Sequence, residues 1–225
     1  MTPDHLQQLA EARERRRPVV RWTRLETGES GICYDAGEAP DDLREEIEAR
    51  FRSGKSGIVS SGKVPSFIAT TLPLPRLVAV GAVHISQALV PLARTAGIET
   101  LIVDPRTAFA TTSRFEGSTL VADWPEDVAD RLALDRHTAL AALTHDPKID
   151  DFPLKAALEA DCFYVGALGS RKTHAKRLER LRNAGLDDNA LARIRAPIGL
   201  DIGAANPAEI AVAILAEIIE AMRKR

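Results

Sequence analysis

The sequence has little cysteine, almost no net charge and no long run of apolar residues. Its two cysteines, Cys33 and Cys162, lie far apart and do not form a metal-ribbon spacing, so we expect reduced thiols. The formal net charge of −2 at pH 7 gives no general attraction to nucleic acid or to an anionic membrane. No segment approaches the length of a membrane span, and the N-terminus lacks a signal-like apolar stretch. These features predict a cytoplasmic protein with neither nucleic acid nor membrane as a partner.

A continuous apolar run at residues 77–80, ended by Gly81, predicts a buried strand. Apolar and small residues at 88–96 predict the helix that follows, with Pro91 in its first turns or at a kink. A strand, a tight turn and a helix N-terminus with free backbone N–H groups form a site for an anion, most often a phosphate. The chain therefore has a candidate anion site at Gly81.

Short apolar strands alternate with helices through the rest of the chain. Such alternation with short connections predicts an α/β fold with a doubly wound parallel sheet. Further strands are predicted at 98–104, 119–122, 138–144 and 162–168, helices at 153–160, 172–183 and 207–222, and a glycine-bracketed loop or short strand at 198–203. The apolar stripe of the last helix fits either core packing or a dimer contact.

Residues 1–74 are predicted to form a small α+β domain, separate from a second domain at 75–225. Pro73 and Pro75 mark the boundary between them. The first domain combines a charged helix within 1–17, strands and turns at 19–34, a helix at 41–52, a glycine- and serine-rich segment at 53–62 and a short strand at 67–71.

Five segments of the second domain are expected to meet at one edge of the parallel sheet. Ligands of such sheets bind outside the carboxyl ends of the strands. Arginines and helix N-termini at this edge favour a ligand that carries phosphate. The candidate cofactor-binding residues there are Gly81, His84, Asp104, Arg106, Thr144, His145, Asp146, Gly169, Ser170, Arg171 and Asp201.

Asp104 has the position of the acid that accepts ribose hydroxyls in dinucleotide-binding units, about 20 residues after the glycine turn. Equally, Asp104 could simply begin a turn with Pro105. The glycine turn itself argues against ordinary NAD binding, because Val83 and Ser86 stand where that pattern has its second and third glycines. An NAD(P)-dependent oxidoreductase remains one alternative, and Arg106 keeps the phosphate-bearing cofactor in consideration.

No metal site and no catalytic group is predicted. His84, His145, Asp146 and Asp201 could surround a metal, but their spacing matches no local metal signature. A lone histidine such as His84 could contact a phosphate or could satisfy neighbouring backbone groups.

Five ordered blocks between about residues 75 and 222 resemble the xanthine dehydrogenase accessory protein family, XdhC/CoxI. They read Gly-Ala-Val-His-Ile-Ser-Gln-Ala-Leu at 81–89, Val-Asp-Pro-Arg at 103–106, Leu-Thr-His-Asp at 143–146, Val-Gly-Ala-Leu-Gly-Ser-Arg at 165–171 and Ala-Pro-Ile-Gly-Leu-Asp-Ile-Gly-Ala at 196–204. The resemblance implies a Rossmann-like domain in an assembly factor. Such a factor binds molybdenum cofactor and helps to pass its sulfurated form to an enzyme of the xanthine or carbon monoxide dehydrogenase type.

The chain departs from this family at two places. The family's usual turn, Gly-Ala-Gly-His-Val-Gly, is here Gly-Ala-Val-His-Ile-Ser, and the N-terminal region is short, so Cys33 is assigned no role. The resemblance implies a non-catalytic maturation factor with a molybdoenzyme client and a cysteine desulfurase as a further partner, and the apolar stripe of the last helix leaves a homodimer open. A nucleotide-sensing regulatory module is the second alternative.

Overall fold

The computed structural model describes residues 3–60 and 64–224, so the predictions for residues 1, 2, 61, 62 and 225 lie outside the described residues. The described residues up to Leu74 form one compact unit, and Pro75–Lys224 form another.

The N-terminal unit is a small antiparallel sheet with helices, as the α+β prediction expected. Its elements are α1 (Pro3–Glu14), β1 (Val19–Arg24), β2 (Ser30–Cys33), α2 (Arg44–Ser53), β3 (Gly57–Val59) and β4 (Ser66–Thr71). The strand order is β2-β1-β4-β3. Ile47 of α2 packs with Val20 and Ile68 of the sheet, because the apolar residues of the helix recur at helical spacing.

The second unit is a six-stranded parallel sheet with helices on both faces. Its strands are β5 (Arg76–Val80), β6 (Glu99–Val103), β7 (Thr119–Val121), β8 (Thr138–Ala142), β9 (Tyr164–Ala167) and β10 (Ile194–Arg195). Its helices are α3 (His84–Thr95), α4 (Ala129–Leu132), α5 (Pro147–Glu159), α6 (Arg171–Asn183), α7 (Asp188–Leu191) and α8 (Pro207–Arg223). The strand order β10-β9-β8-β5-β6-β7 is that of a doubly wound Rossmann-type sheet, so the predicted fold class is confirmed.

The central strand β5 has apolar residues on both of its faces. Val78 and Val80 pack on the side of α5 and α6, whereas Leu77 and Ala79 pack on the side of α3 and α8. The continuous apolar run follows from this, since a strand covered on both sides has no polar face. The prediction of a buried parallel strand is confirmed.

One helix boundary differs from that predicted. α5 begins at Pro147 rather than at 153, because Asp146 caps the helix and a proline is well tolerated at the first helical position. α3 begins at His84, directly after the glycine turn as the predicted order of strand, turn and helix requires, and Pro91 lies inside it. Of the two alternatives for the segment 198–203, the structure has the loop, and the last strand lies earlier, at Ile194–Arg195.

The apolar stripe of α8 is core packing. Ile214 and Ile218 are fully buried against the face of the sheet that α3 also covers. In the described residues, no helix is both long and apolar enough to cross a membrane.

Candidate functional site

The glycine turn lies where the carboxyl ends of β5 and β8 meet. Gly81 has φ of +117°, and a Cβ added to it would lie 2.8 Å from Cγ2 of Thr144. Its N–H donates to the Val103 carbonyl at 2.8 Å. Glycine is needed here because both the backbone angle and the close approach of Thr144 exclude a side chain. The turn therefore joins three of the predicted loops.

The carboxylate of Asp104 is fully buried and is used by protein donors. Its Oδ2 accepts from the Ala82 N–H at 2.7 Å and from Nη2 of Arg106 at 2.7 Å. Its Oδ1 accepts from the backbone N–H and Nε of Arg106, both at 2.9 Å. Burial alone would raise the pKa of Asp104, but the bonds from Arg106 and Ala82 outweigh it and leave that pKa lowered. A ribose hydroxyl could bond here only by displacing one of these donors.

The first turn of α3 is also bonded internally. Oγ of Ser86 accepts from the Val83 N–H at 3.0 Å and donates to the Gly81 carbonyl. Together with the Ala82 bond to Asp104, this uses the two amides that follow Gly81. His84 is exposed at the first residue of the helix.

Arg114 joins the loop after β6 to the glycine turn. Its Nη1 donates to the Ala82 carbonyl at 3.1 Å and to the Phe109 carbonyl at 2.8 Å. The guanidinium of Arg106 lies 5.1 Å from the ring centre of Phe109, which is 48% exposed. Sequence reasoning missed Arg114 because its partners lie far along the chain and no local pattern marks it.

The loop after β8 is organised around Asp150. Oγ1 of Thr144 donates to Oδ1 of Asp150 at 2.7 Å and accepts from the Asp146 N–H at 3.0 Å. Between them, His145 has φ of +65°, which is uncommon outside glycine, and its side chain is exposed. Burial raises the pKa of Asp150 to about 6, against the opposing effect of the Thr144 hydrogen bond.

The loop after β9 leads into the N-terminus of α6. Gly169 has φ of +135°, and the Ser170 side chain caps the helix by accepting from the Thr173 N–H at 3.2 Å. Arg171 is exposed at the first helical residue. Backbone N–H groups of this helix end therefore face the same edge of the sheet.

The loop around Asp201 is fixed to α8. The Gly199 N–H donates to Oε2 of Glu217 at 2.8 Å, and the Leu200 N–H donates to the Ala213 carbonyl at 3.2 Å. Asp201 is exposed. The contacts that fix this loop thus run to the helix behind it rather than to the glycine turn.

A cleft of about 330 Å³ opens between the N-terminal parts of α5 and α6. Its lining residues are His145, Pro147, Asp150, Asp151, Lys172, Thr173, Lys176, Arg177 and Arg180. Sequence reasoning found only His145 among these, although Arg177 does carry a signal, since it stands four residues before the buried Leu181 on one helix face.

The remaining candidate groups are buried or lie apart from one another. In residues 3–60 and 64–224, no three His, Cys, Asp or Glu side chains are arranged to hold a metal ion. Cys33 and Cys162 are buried free thiols, and burial raises the pKa of both, to about 12 for Cys162.

Comparison with known proteins gives consistent matches. A Bacillus subtilis protein, named as a probable xanthine dehydrogenase component, is 33% identical over 71% of this chain and 46% of its own length. A protein of Escherichia coli named "Molybdenum cofactor insertion chaperone PaoD" is 40% identical over 38% of this chain and 27% of its own length. The chain thus aligns with less than half the length of either relative.

A crystal structure described as a xanthine dehydrogenase from Bacillus halodurans superposes with a TM-score of 0.70 and 24% identity, over 99% of this chain and 65% of that one. At this identity the match supports the fold. The family described as the XdhC Rossmann domain matches residues 77–218. That range contains every loop of the edge described above and confirms the resemblance seen in the five sequence blocks. Because the match covers more than half of the chain, the protein belongs to the XdhC family.

Proposed function

We propose that this chain is a maturation factor that binds molybdenum cofactor and helps to insert it into a molybdoenzyme of the xanthine or carbon monoxide dehydrogenase type. The name of the Escherichia coli relative, a molybdenum cofactor insertion chaperone, supports this role. The chain needs no bond-making group of its own for it. Binding, orientation and release of the cargo are sufficient.

The observation that carries the proposal is the bonding of the glycine turn. A dinucleotide pyrophosphate is held by free amides of this turn and helix end. Here the Ala82 amide donates to Asp104 and the Val83 amide donates to Ser86. The loops after β8 and β9 instead leave His145, Ser170 and Arg171 exposed. This distribution favours a ligand on the β8 and β9 side over an NAD(P) cofactor at Asp104.

The residues present suit the two chemical parts of such a cargo. Arg171 and the amides at the Ser170 cap would draw a phosphate-bearing cargo to this edge of the sheet. Hydrogen-bonding groups of Thr144 and Asp146 would face a planar pterin. The proposed contacts also include Gly81, His84, Arg106, His145, Gly169 and Asp201, with Asp104 acting by holding Arg106 in place.

Three associations belong to the same proposal. We infer transfer in the cytoplasm, the compartment that the free thiols of Cys33 and Cys162 favour. A cysteine desulfurase would supply the sulfur of the sulfurated cargo, and a homodimer would bring two copies to one client. Light scattering after size-exclusion chromatography measures the last of these directly.

The decisive experiment is anaerobic equilibrium binding of molybdenum cofactor, with NAD⁺ and NADP⁺ measured in parallel at the same salt concentration. The wild type should retain the pterin and bind both nicotinamide cofactors weakly. A double variant, Arg171→Gln with Asp201→Asn, should retain less pterin and mature less client enzyme. Arg182→Gln is the matched control, since Arg182 lies on α6 but pairs with Asp188 away from the edge.

Two outcomes would remove the proposal. One is a wild-type protein that binds a nicotinamide cofactor and retains no pterin, which would favour the oxidoreductase. The other is nucleotide-dependent association with a partner and no pterin affinity, which would favour the regulatory module.

A further inference from the structure

The α5–α6 cleft contains a buried cation whose hydrogen-bonding capacity is largely unused. Arg177 is 2% exposed and lines the cleft. Its Nη2 donates to the Leu168 carbonyl at 2.9 Å. Within the part of the chain that the structure describes, its Nε and Nη1 have no hydrogen-bond partner. Buried polar groups are nearly always paired in native proteins, so an acceptor is expected at this position.

The other charges of the cleft leave an excess of positive charge. Arg180 forms an ion pair with Asp151, its Nε lying 2.5 Å from Oδ2, so these two charges offset each other. Lys172 and Lys176 are exposed at the rim. With Arg177 they outnumber the single remaining carboxylate, Asp150.

Asp150 lines the cleft, but its single negative charge does not cancel the excess of positive charge there. Its Oδ1 accepts from Thr144, and its Oδ2 is buried without a partner among the described residues. It does not form a hydrogen-bonded ion pair with Arg177, whose bonded nitrogen donates to a carbonyl. The guanidinium charge is therefore incompletely satisfied within the protein.

The cleft also lies beside a helix end suited to anions. α6 has 13 residues, and the positive end of its dipole is at Ser170, so Lys172 and Thr173 of the cleft lie in its first turn and Arg177 lies about two turns along. Small-molecule sites span about 300–1,000 Å³. The cleft volume of about 330 Å³ lies at the lower end of this range and has room for a phosphate group with its nearest atoms.

We propose that the α5–α6 cleft is an anion subsite, built on Arg177 with Lys172 and Lys176, that takes the phosphate monoester end of the ligand. Its identification with the phosphate of molybdenum cofactor rests on the proposed function. The anion subsite itself does not, because it is defined by this chain's own residues.

Sulfate is the first probe, since it does not titrate near neutral pH and reports anion binding alone. Calorimetry measures its affinity, and the ¹⁵N-detected Nε–H signal of Arg177 reports whether binding occurs in the cleft. Lys172→Gln with Lys176→Gln should weaken sulfate binding about five-fold or more. Arg177→Met should weaken it at least about ten-fold. Asp150→Asn should tighten it, because a negative charge leaves the cleft.

Arg182→Gln is again the control, since it removes one positive charge from α6 outside the cleft. Unchanged sulfate affinity in the lysine double variant would overturn the subsite, and this variant serves even if Arg177→Met fails to fold. Displacement of sulfate by a pterin without phosphate would overturn it too, because the cleft would then hold the heterocycle.

Competition with AMP and with molybdenum cofactor separates the possible sources of the phosphate. Displacement of sulfate by the molybdenum cofactor at lower concentration than AMP supports the cargo assignment. Pterin retention that is unaffected by Arg177→Met would remove the assignment of the subsite to the cargo's phosphate and leave the proposed function standing. Sulfate binding that depends on Arg177, in a protein that retains no pterin, would support the anion subsite and remove the proposed function.

Discussion

Arg106 holds Asp104 in a two-pronged ion pair, with Nε 2.9 Å from Oδ1 and Nη2 2.7 Å from Oδ2. Asp104 is fully buried, whereas the side chain of Arg106 is 35% exposed. The pair therefore uses the acid of the nucleotide-binding position to fix the loop after β6. This relationship explains how a Rossmann-type sheet can retain that acid while its expected ligand contact is occupied.

Replacement of Arg106 by Gln should lower the free energy of unfolding at pH 7 by about 2–3 kcal/mol, because a buried carboxylate loses its cation. The lowered pKa of Asp104 stabilises the fold above the ordinary carboxyl range, and this contribution is lost as the pH falls through the folded-state pKa. The difference between wild type and variant should therefore shrink in acid. Urea unfolding at several pH values measures it, with Arg182→Gln as the surface-pair control expected to cost less than about 1 kcal/mol. A difference independent of pH would contradict the assignment.

Gly81→Ala should destabilise the protein by about 3 kcal/mol or more. Its φ of +117° is unfavourable for alanine, and the new Cβ would overlap Cγ2 of Thr144. Gly97→Ala is a matched control, because Gly97 has φ of +74° with open space around it and should lose only about 1 kcal/mol. Thermal unfolding of both variants tests the prediction. Equal losses would show that the contact with Thr144 does not matter.

Asp150→Asn should stabilise the fold at neutral pH by about 1–3 kcal/mol. The pKa of Asp150 is raised to about 6 in the folded state, above its ordinary value of about 4, so the unfolded state loses the proton first. The free energy of unfolding of the wild type therefore decreases as the pH rises from about 4 to about 6. The variant has no carboxyl group here and should not show this decrease. Asp188→Asn at the surface is the control. Identical pH profiles for Asp150→Asn and the wild type would refute this prediction.

Tyr164→Phe should loosen the loop around Asp201. The Tyr164 hydroxyl donates to Oε2 of Glu217 at 2.6 Å, and the same oxygen accepts from the Gly199 N–H. Loss of one donor should cost about 1–2 kcal/mol and speed hydrogen exchange at residues 199–203. Tyr34→Phe in the N-terminal unit should leave exchange in that segment unchanged. Equal exchange in both variants would mean that Glu217 holds the loop without the tyrosine.

The strands of the parallel sheet could be predicted because a strand that is buried on both faces consists almost entirely of apolar residues. Leu77 to Val80 alternate between two helix layers, yet all four are apolar. Helix starts were harder, since a proline begins a helix as readily as it interrupts one. Pro147 begins α5 while Pro153 lies inside it, and only the Asp146 cap separates the two cases.

The candidate site could be predicted as a set of loops but not as a set of contacts. Topology alone brings Gly81, Asp104 and Thr144 to one edge of the sheet. The bond from Arg114 to the Ala82 carbonyl and the burial of Arg177 depend on packing between elements distant in sequence. Charged residues on helices usually face solvent, so their burial has only a weak signal in the sequence.

The backbone of Ala82 is tied on both sides, by Asp104 at its N–H and by Arg114 at its carbonyl. Because both backbone groups of Ala82 are bonded, a substitution at a neighbouring position does not by itself free them. Introducing glycine at Val83 or Ser86 would leave the Ala82 amide engaged, and freeing that amide would first unpair the buried acid. Conversion of this turn into a pyrophosphate cradle therefore requires a coordinated change at Asp104 as well as at the turn itself.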